Sequence, residues 1–326
     1  MRSGRDAHEE ILASWFAVGD SGWSSLLHRG QKHVAEAIDV LDREHPADGL
    51  FMLGDNFYPD GLRSDDLEGH LAEVVVLPFC RFAELTTGWI GDPPRCERPT
   101  DRRRQIWAVL GNHDHRSSES PVLQRGWIET RISNWQMPDG PVGSYPLAPG
   151  VDLIAYDSQQ LMEARGAEIL TSAVRAAPGP WRIVAAHHPL RLDWEGEEAA
   201  LEAERLRRAL AAANVPVQLL LAGHEHNLQV LDLEEPSLGL QVVVGAGARH
   251  RPIVGDVPTR LFGIETLGFA RIELLGGVAP RLIVTLFSVP SWPVPSSWPR
   301  PWPSRPQVAA AFEVDVEGNF LKRRVD

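Results

Sequence analysis

Apolar runs bounded by turn residues recur along the chain: Ile11–Val18, Leu50–Leu53, Ile106–Leu110, Val151–Ala155, Ile183–Ala186, Val217–Ala222, Leu240–Val244, Phe269–Leu275 and Leu282–Phe287. Their length and β-branched content predict buried strands. Helical spacing lies between several of them. Val34, Ile38 and Leu41 fall at i, i+4 and i+7 on one face; Leu206, Ala209 and Leu210 form a second such face, with Glu and Arg opposite. Alternating strand and helix predicts an α/β layered fold. Helical patterns stop after Gly239, and strands dominate from there. The expected architecture is a sandwich of two sheets flanked by helices.

Five of the runs end in polar clusters: Gly19-Asp20-Ser21-Gly22, Gly54-Asp55-Asn56-Phe57-Tyr58, Gly111-Asn112-His113-Asp114-His115, His187-His188-Pro189 and Gly223-His224-Glu225-His226. Side chains on neighbouring strand ends converge whatever their separation in sequence. The clusters supply the oxygen and nitrogen donors of a two-metal hydrolytic site. Glycine lets the chain turn so that Asp20 and Asp55 can point into a cleft, and one carboxylate can bridge two cations. His224 and His226 share a side if the backbone is extended. Asn112 offers an amide oxygen and Tyr58 a phenol. Two metals ~3.5–4 Å apart would polarise a phosphate and generate hydroxide from water. His113 is placed to protonate a leaving alcohol. Singly, Gly-Asp after a strand reads as a turn and His187 as a loop histidine. In this order, each after an apolar run, they predict one shared metal site. His8, His28, His33, His45, His70 and His250 lack such contexts and are expected at the surface. Gly245-Ala246-Gly247 is too short for a nucleotide loop and reads as a strand-end turn beside the cleft.

Composition adds limits. With 43% hydrophobic residues, the 326-residue chain can bury a sizeable core. A net charge of −12 and the absence of a long basic run argue against a general nucleic-acid binder. Arg102-Arg103-Arg104, the strongest basic cluster, reads as a solvated loop. Cys80 and Cys96 can pair, but two thiols define no disulfide scaffold, and a reducing compartment fits at least as well. No run approaches a membrane span and no signal core is visible, so a cytoplasmic location is the default expectation. Ser288–Pro306 is dense in Pro and Trp, which prevents helix and central strand. It reads as a loop whose Trp side chains fold back; a proline-rich ligand for a partner's groove is the alternative.

The ordered set Gly-Asp, Gly-Asp-x-x-Tyr, Gly-Asn-His-Asp, His and Gly-His-x-His resembles the calcineurin-like metallophosphoesterases, and within them the small, tartrate-resistant purple acid phosphatases. Most of the superfamily has Asp-x-His first. Here that stretch is Asp20-Ser21-Gly22, and Tyr58 stands three residues after the second aspartate, as in purple acid phosphatases. Gly223-His-Glu-His-Asn-Leu-Gln229, Gly268-Phe-Ala270 and Glu317-Gly-Asn-Phe-Leu-Lys-Arg323 are also similar to small-type segments. The resemblance implies a four-layer α/β/β/α sandwich of two mixed sheets, a single domain over 1–326 with an insertion at about 288–306. It implies a ferric ion held by Asp20, Tyr58 and His226, a divalent ion (Fe, Zn or Mn) held by Asn112, His187 and His224, and Asp55 bridging them. His113 would contact phosphate and the leaving oxygen. The implied activity is acid phosphatase-like: hydrolysis of a small phosphate ester by attack of a metal-bound hydroxide, with neither nucleic-acid nor membrane partner.

Two departures qualify that picture. The small-type family carries a further substrate-directed histidine after the equivalent of His187-His188-Pro189, and this chain has none between His188 and His224. Protonation of the leaving group would then fall to His113 alone, or to His188 or Glu195, implying a weaker or less acidic optimum. The stretch from Asp157 to His187 is short, implying a trimmed loop and open access. Two rival functions remain: a phosphodiesterase or nucleotide hydrolase using Mn or Zn, and a non-catalytic interaction protein docking through the Pro/Trp segment.

Overall fold

The fold was analysed in a computed structural model, which describes residues 10–23, 29–96, 104–162, 166–191, 197–290 and 305–324. The strands among them are β1 (Ile11–Val18), β2 (Gly49–Leu53), β3 (Gln105–Val109), β4 (Trp135–Gln136), β5 (Val142–Ala148), β6 (Val151–Tyr156), β7 (Trp181–Ala185), β8 (Val217–Ala222), β9 (Leu228–Glu235), β10 (Leu238–Val244), β11 (Arg260–Ile264), β12 (Leu267–Leu275), β13 (Arg281–Val289), β14 (Gln307–Val314) and β15 (Phe320–Arg324). The α-helices are α1 (Arg29–Glu44), the short α2 (Leu67–Leu71) and α3 (Ser120–Val122), α4 (Gly166–Ala176) and α5 (Glu197–Ala212).

Two mixed sheets result, in the orders β15-β14-β13-β12-β1-β2-β3-β4 and β11-β9-β10-β8-β7-β6-β5. Side chains alternate across each strand and so separate the layers. In β1, Trp15 and Ala17 enter the core between the sheets, while Phe16 and Val18 face outward onto Val34 and Ile38 of α1. Leu219 and Leu221 of β8 point inward; Leu220 meets Leu170 and Val174 of α4 and Leu206 and Leu210 of α5. Burial on both faces is why these strands read as unbroken apolar runs. The order helix, sheet, sheet, helix matches the expected sandwich.

Helical crossovers put the decisive strand ends at one edge. Segments containing α1, α4 and α5 connect β1 to β2, β6 to β7 and β7 to β8, and each of these pairs runs parallel. Parallel strands joined in this way end on the same side of their sheet. Cross-sheet bonds then align the two edges: the Gly19 N–H donates to the Val244 carbonyl at 2.8 Å and the Gly247 N–H to the Gly19 carbonyl at 3.1 Å. Gly245-Ala246-Gly247 is thus a strand-end turn against the first aspartate loop.

Several expectations need correction. Arg104 is not solvated: its Nη1 lies 2.7 Å from Asp42 of α1, inside the protein, and its guanidinium sits over the Phe82 ring. Residues 102 and 103 lie outside the described residues. A charge this deep is retained because it is paired. Cys80 and Cys96, left open by the sequence, are joined as a disulfide. Of the histidines expected at the surface, His45 and His250 are exposed, His33 and His70 are half-buried, and His8 and His28 fall outside the described residues. His70 packs edge-on against Phe57, with 5.2 Å between ring centres. The stretch after Asp157, expected to be short, carries α4 before it reaches β7. Residues 291–304 of the Pro/Trp segment lie outside the described residues; β13 and β14 on either side pair antiparallel, with Ser288 opposite Gln307. No helix among the described residues is long and apolar enough to cross a membrane.

Candidate metal centre

The turns after the strands hold their donors in a conformation few residues accept. Asp20, Asp55 and His224 have φ of 56°, 52° and 67°. Left-handed backbone at a non-glycine residue costs about 1–3 kcal/mol and gathers at functional sites. Here it turns each side chain back over the strand ends. Neighbouring turns hold one another: Asp20 N–H donates to the Gly54 carbonyl at 3.0 Å, and His224 N–H to Asp20 Oδ2 at 2.7 Å.

All seven expected ligands converge, and they divide into two subsites. In the first, the Tyr58 hydroxyl lies 3.0 Å from Asp20 Oδ1, 2.6 Å from Asp55 Oδ2 and 3.3 Å from His226 Nε2. In the second, Asn112 Oδ1 lies 3.1 Å from both His187 Nε2 and His224 Nδ1, which are 3.3 Å apart. Asp55 stands between them, with Oδ2 toward the tyrosine and Oδ1 3.5 Å from His187 Nε2.

The second subsite fits a cation better than it fits itself. His187 Nδ1 lies 2.8 Å from the Leu53 carbonyl. A carbonyl only accepts, so Nδ1 carries the proton and Nε2 of the neutral ring presents a lone pair. That lone pair faces the Asn112 oxygen, another acceptor. In the first subsite one phenolic proton serves two carboxylates, and among the described residues neither Asp20 nor Asp55 pairs with an arginine or lysine. Donor atoms crowded without donors to share fit metal ions, and carboxylate, phenol, amide and imidazole together suit iron, zinc and manganese.

Electrostatics agree. Burial, then the charge of Asp55, holds the Asp20 carboxyl well above the usual range. Burial, then Asp20 and Asp55, raises the Tyr58 phenol. Burial, then His224, keeps His187 well below its ordinary value, and burial, then Arg251, lowers His226 to about 4. Bound cations would reverse the sign at the anionic groups.

A support the sequence did not reveal lies beneath. Asp114, buried, accepts from the N–H groups of Asn56, Phe57 and Gly111 at 3.1, 3.1 and 2.9 Å and from Gln124 Nε2 at 2.8 Å. It therefore ties the Asp55–Tyr58 turn to the Asn112 turn. Burial, then Asp55, raises its pKa to about 7 against the pull of those donors. At the rim, His115 Nε2 lies 2.9 Å from Asp157 Oδ2, which Arg125 also meets at 2.9 Å, and Ser158 Oγ lies 2.7 Å from His188 Nδ1. His115 ends the Gly111–His115 cluster, but only the fold supplies its partner. His188 thus borders the second subsite, its ring centre 4.5 Å from that of His224. Glu195 is outside the described residues.

These shifts predict how stability changes once metals are removed. Asp20 and Asp114 keep protons that the unfolded chain releases above 3.8, whereas His187 and His226 lack protons that it holds below 6.5. The two sets oppose each other between about pH 4 and 6.5. Above that only the carboxylates contribute, and the unfolded state binds fewer protons there. Metal-free protein is therefore expected to lose stability as pH rises from about 6.5 to about 8. Melting curves of chelated protein across that window check the sign, and a rising midpoint would refute it.

A profile of the calcineurin-like phosphoesterases matches residues 18–228, a stretch holding every one of these seven candidate donors. The chain belongs to that family. Calcineurin-like phosphoesterases hydrolyse phosphoesters and typically bind two metal ions, and the Asp20–Asp55–His187 and His187–His188–His224 groups here are compact enough to hold metal. Solved structures share the fold. GAP50, the anchor in the inner membrane complex of Plasmodium, is 15% identical with a TM-score of 0.64, covering 89% of this chain and 100% of that one. The purple acid phosphatase PPD1 of yellow lupin seeds is 13% identical with a TM-score of 0.64, covering 93% and 53%. PhoD is 12% identical with a TM-score of 0.62, covering 97% and 72%. Among curated proteins, a histidine–tRNA ligase of Paraburkholderia xenovorans is 38% identical over 275 residues, 77% of this chain. That of Burkholderia vietnamiensis is 26% identical over the same length. The chain spans 60% of the length of these ligases.

Proposed function

We propose that this calcineurin-like phosphoesterase is a phosphomonoesterase of the purple acid phosphatase kind, with ferric iron in the first subsite and Fe, Zn or Mn in the second. One observation carries the reading. The Tyr58 hydroxyl sits among Asp20, Asp55 and His226, and position 22, where most of the superfamily has a ligand histidine, has no room for a side chain. A Cβ on Gly22 would stand 2.2 Å from the Asn56 carbonyl carbon.

In this reading Asp20, Tyr58 and His226 would hold one ion, Asn112, His187 and His224 the other, and Asp55 would serve both. The ions would supply Lewis acidity, neutralising phosphoryl oxygens and lowering the pKa of water. His113 contributes the proton. Its Nδ1 lies 2.6 Å from the Pro59 carbonyl and must donate to it, leaving Nε2 for the leaving oxygen. Its backbone N–H donates to Asp55 Oδ1 at 2.8 Å and so holds the acid beside the bridge. Burial lowers its pKa, strengthening the imidazolium as an acid.

The rivals are weaker. An anchoring role, such as that described for GAP50 of Plasmodium, requires none of the seven donors this chain keeps. Transfer RNA binding, which the ligase name would require, is disfavoured by a net charge of −12. The test is a visible spectrum with elemental analysis. Purple or pink protein with about one to two irons per chain, colourless as Tyr58→Phe, is expected from tyrosinate–ferric charge transfer. Colourless wild-type protein carrying Mn or Zn would sink the iron assignment and favour the diesterase alternative.

A further inference from the structure

The chain is acidic overall, yet arginines collect on one side of the metal centre. Arg116 Nη1 donates to the Pro59 carbonyl at 3.3 Å, the same oxygen that accepts from His113. Its acidic neighbour Asp60 is 3.7 Å away, and both side chains are about half exposed (48% and 53%), so that pair is weak. Arg251 follows through the backbone: its N–H donates to the His226 carbonyl at 2.6 Å. Its exposed guanidinium makes no ion pair or hydrogen bond among the described residues. Arg249 lies 3.7 Å over the Trp23 ring, and Trp23 in turn stacks on Tyr58 at 4.5 Å. Tyr58 then meets His113, with 4.3 Å between ring centres.

These contacts trace an arc, Arg249–Trp23–Tyr58–His113–Arg116, with Arg251 beside His226. The opposite rim differs, because Asp157 already neutralises Arg125 there. Asp20 and Asp55 touch the arc at Tyr58, where the proposed metal ions would offset their charge, and beyond them Asp60 and the buried Glu225, which is 5% exposed, adjoin it. Trp23 stacks on Tyr58 and carries Arg249 over its ring, so its indole is already engaged. What the arc offers a ligand is therefore charge.

We propose that the arc is a subsite for a second phosphate, and that the favoured substrates carry a phosphate joined directly to the scissile phosphoryl group, as in inorganic pyrophosphate and organic diphosphates. The inference rests on His113 standing at the leaving oxygen, because Arg116 lies just beyond it. Water's oxygen bonds to the terminal phosphorus. The bond from that phosphorus to the bridging oxygen breaks, its electron pair leaving with that oxygen. One water proton remains with each phosphate product. Arg116 and Arg251 hold the departing phosphate, which a simple aryl ester lacks.

The test compares inorganic pyrophosphate with phenyl phosphate in metal-loaded full-length protein. Arg251→Ala and Arg116→Ala are each expected to lower the pyrophosphate-to-phenyl phosphate ratio of kcat/KM about ten-fold, mainly through KM, as expected for a lost charge-assisted contact. Arg251→Lys should retain most of the ratio, and added salt should depress pyrophosphate use more than phenyl phosphate use. A ratio unchanged in both alanine variants, or equal losses on both substrates, overturns the subsite. Wild-type protein inactive on phenyl phosphate overturns the phosphatase reading itself, and the subsite with it.

Discussion

Replacing Asp55 with asparagine is expected to stop turnover and, in metal-free protein, to raise the melting midpoint. Asp55 reaches both subsites, 2.6 Å from the Tyr58 hydroxyl and 3.5 Å from His187 Nε2. An amide presents one oxygen, so it cannot serve both ions. Losing the bridge should lower the rate on an aryl phosphate by about three orders of magnitude, or ~4 kcal/mol of transition-state stabilisation. Metal analysis should show less than a full pair. Without metal the carboxylate is a liability, a buried charge whose field helps push the Asp20 pKa up. Asparagine removes that repulsion and keeps an acceptor for the His113 N–H. Opposite signs in activity and apo-stability mark a group retained for function. Retained turnover, or a lower midpoint in chelated protein, would refute the assignment.

What could be read in the sequence follows from where the signals lie. Strands buried on both faces, such as β2 and β8, announced themselves as apolar runs, and the ligands stood at their ends. Strand β5, Val142–Ala148, contains Gly143 and Pro146 and has no buried position, so it carried no run. The alanines of β14 carry little β propensity, and β4 has two residues. Those strands exist because a neighbour offers a ladder, which is tertiary information. The same holds at the site. Donors fixed to strand ends were legible; partners arriving from elsewhere were not. Asp157 reaches His115 across 42 positions, and Asp42 meets Arg104 across 62. Arg104 read as solvated only because its buried counter-ion lies in a distant helix. Arg249 and Arg251 lacked a motif altogether and acquire meaning only from standing beside Trp23 and His226.

Gly22 gives the sharpest test of why the proposed centre would use a tyrosine. Its N–H donates to the Asp55 carbonyl at 3.1 Å and its carbonyl accepts from the Tyr58 N–H at 3.1 Å, so the two metal turns lie backbone against backbone. A Cβ there would stand 2.3 Å from the Asn56 carbonyl oxygen and 2.5 Å from the Phe57 nitrogen. Neither atom can retreat easily, because Asp114 grips the N–H groups of both Asn56 and Phe57. Gly22→Ala should therefore destabilise the fold by about 3 kcal/mol or more, at the upper end of overpacking effects. Denaturant midpoints read this directly, and a wild-type midpoint would show that the turns are free to separate. The same crowding decides Gly22→His in a Tyr58→Phe background. That double variant restores the superfamily's histidine in sequence, yet its ring has no path into the first subsite, so metal content and rate should stay low. On the proposed reading the close approach of the turns and a tyrosine ligand are one structural choice: packing the turns on Gly22 excludes a ligand from the turn after β1, and Tyr58 would supply it from the turn that Gly22 touches.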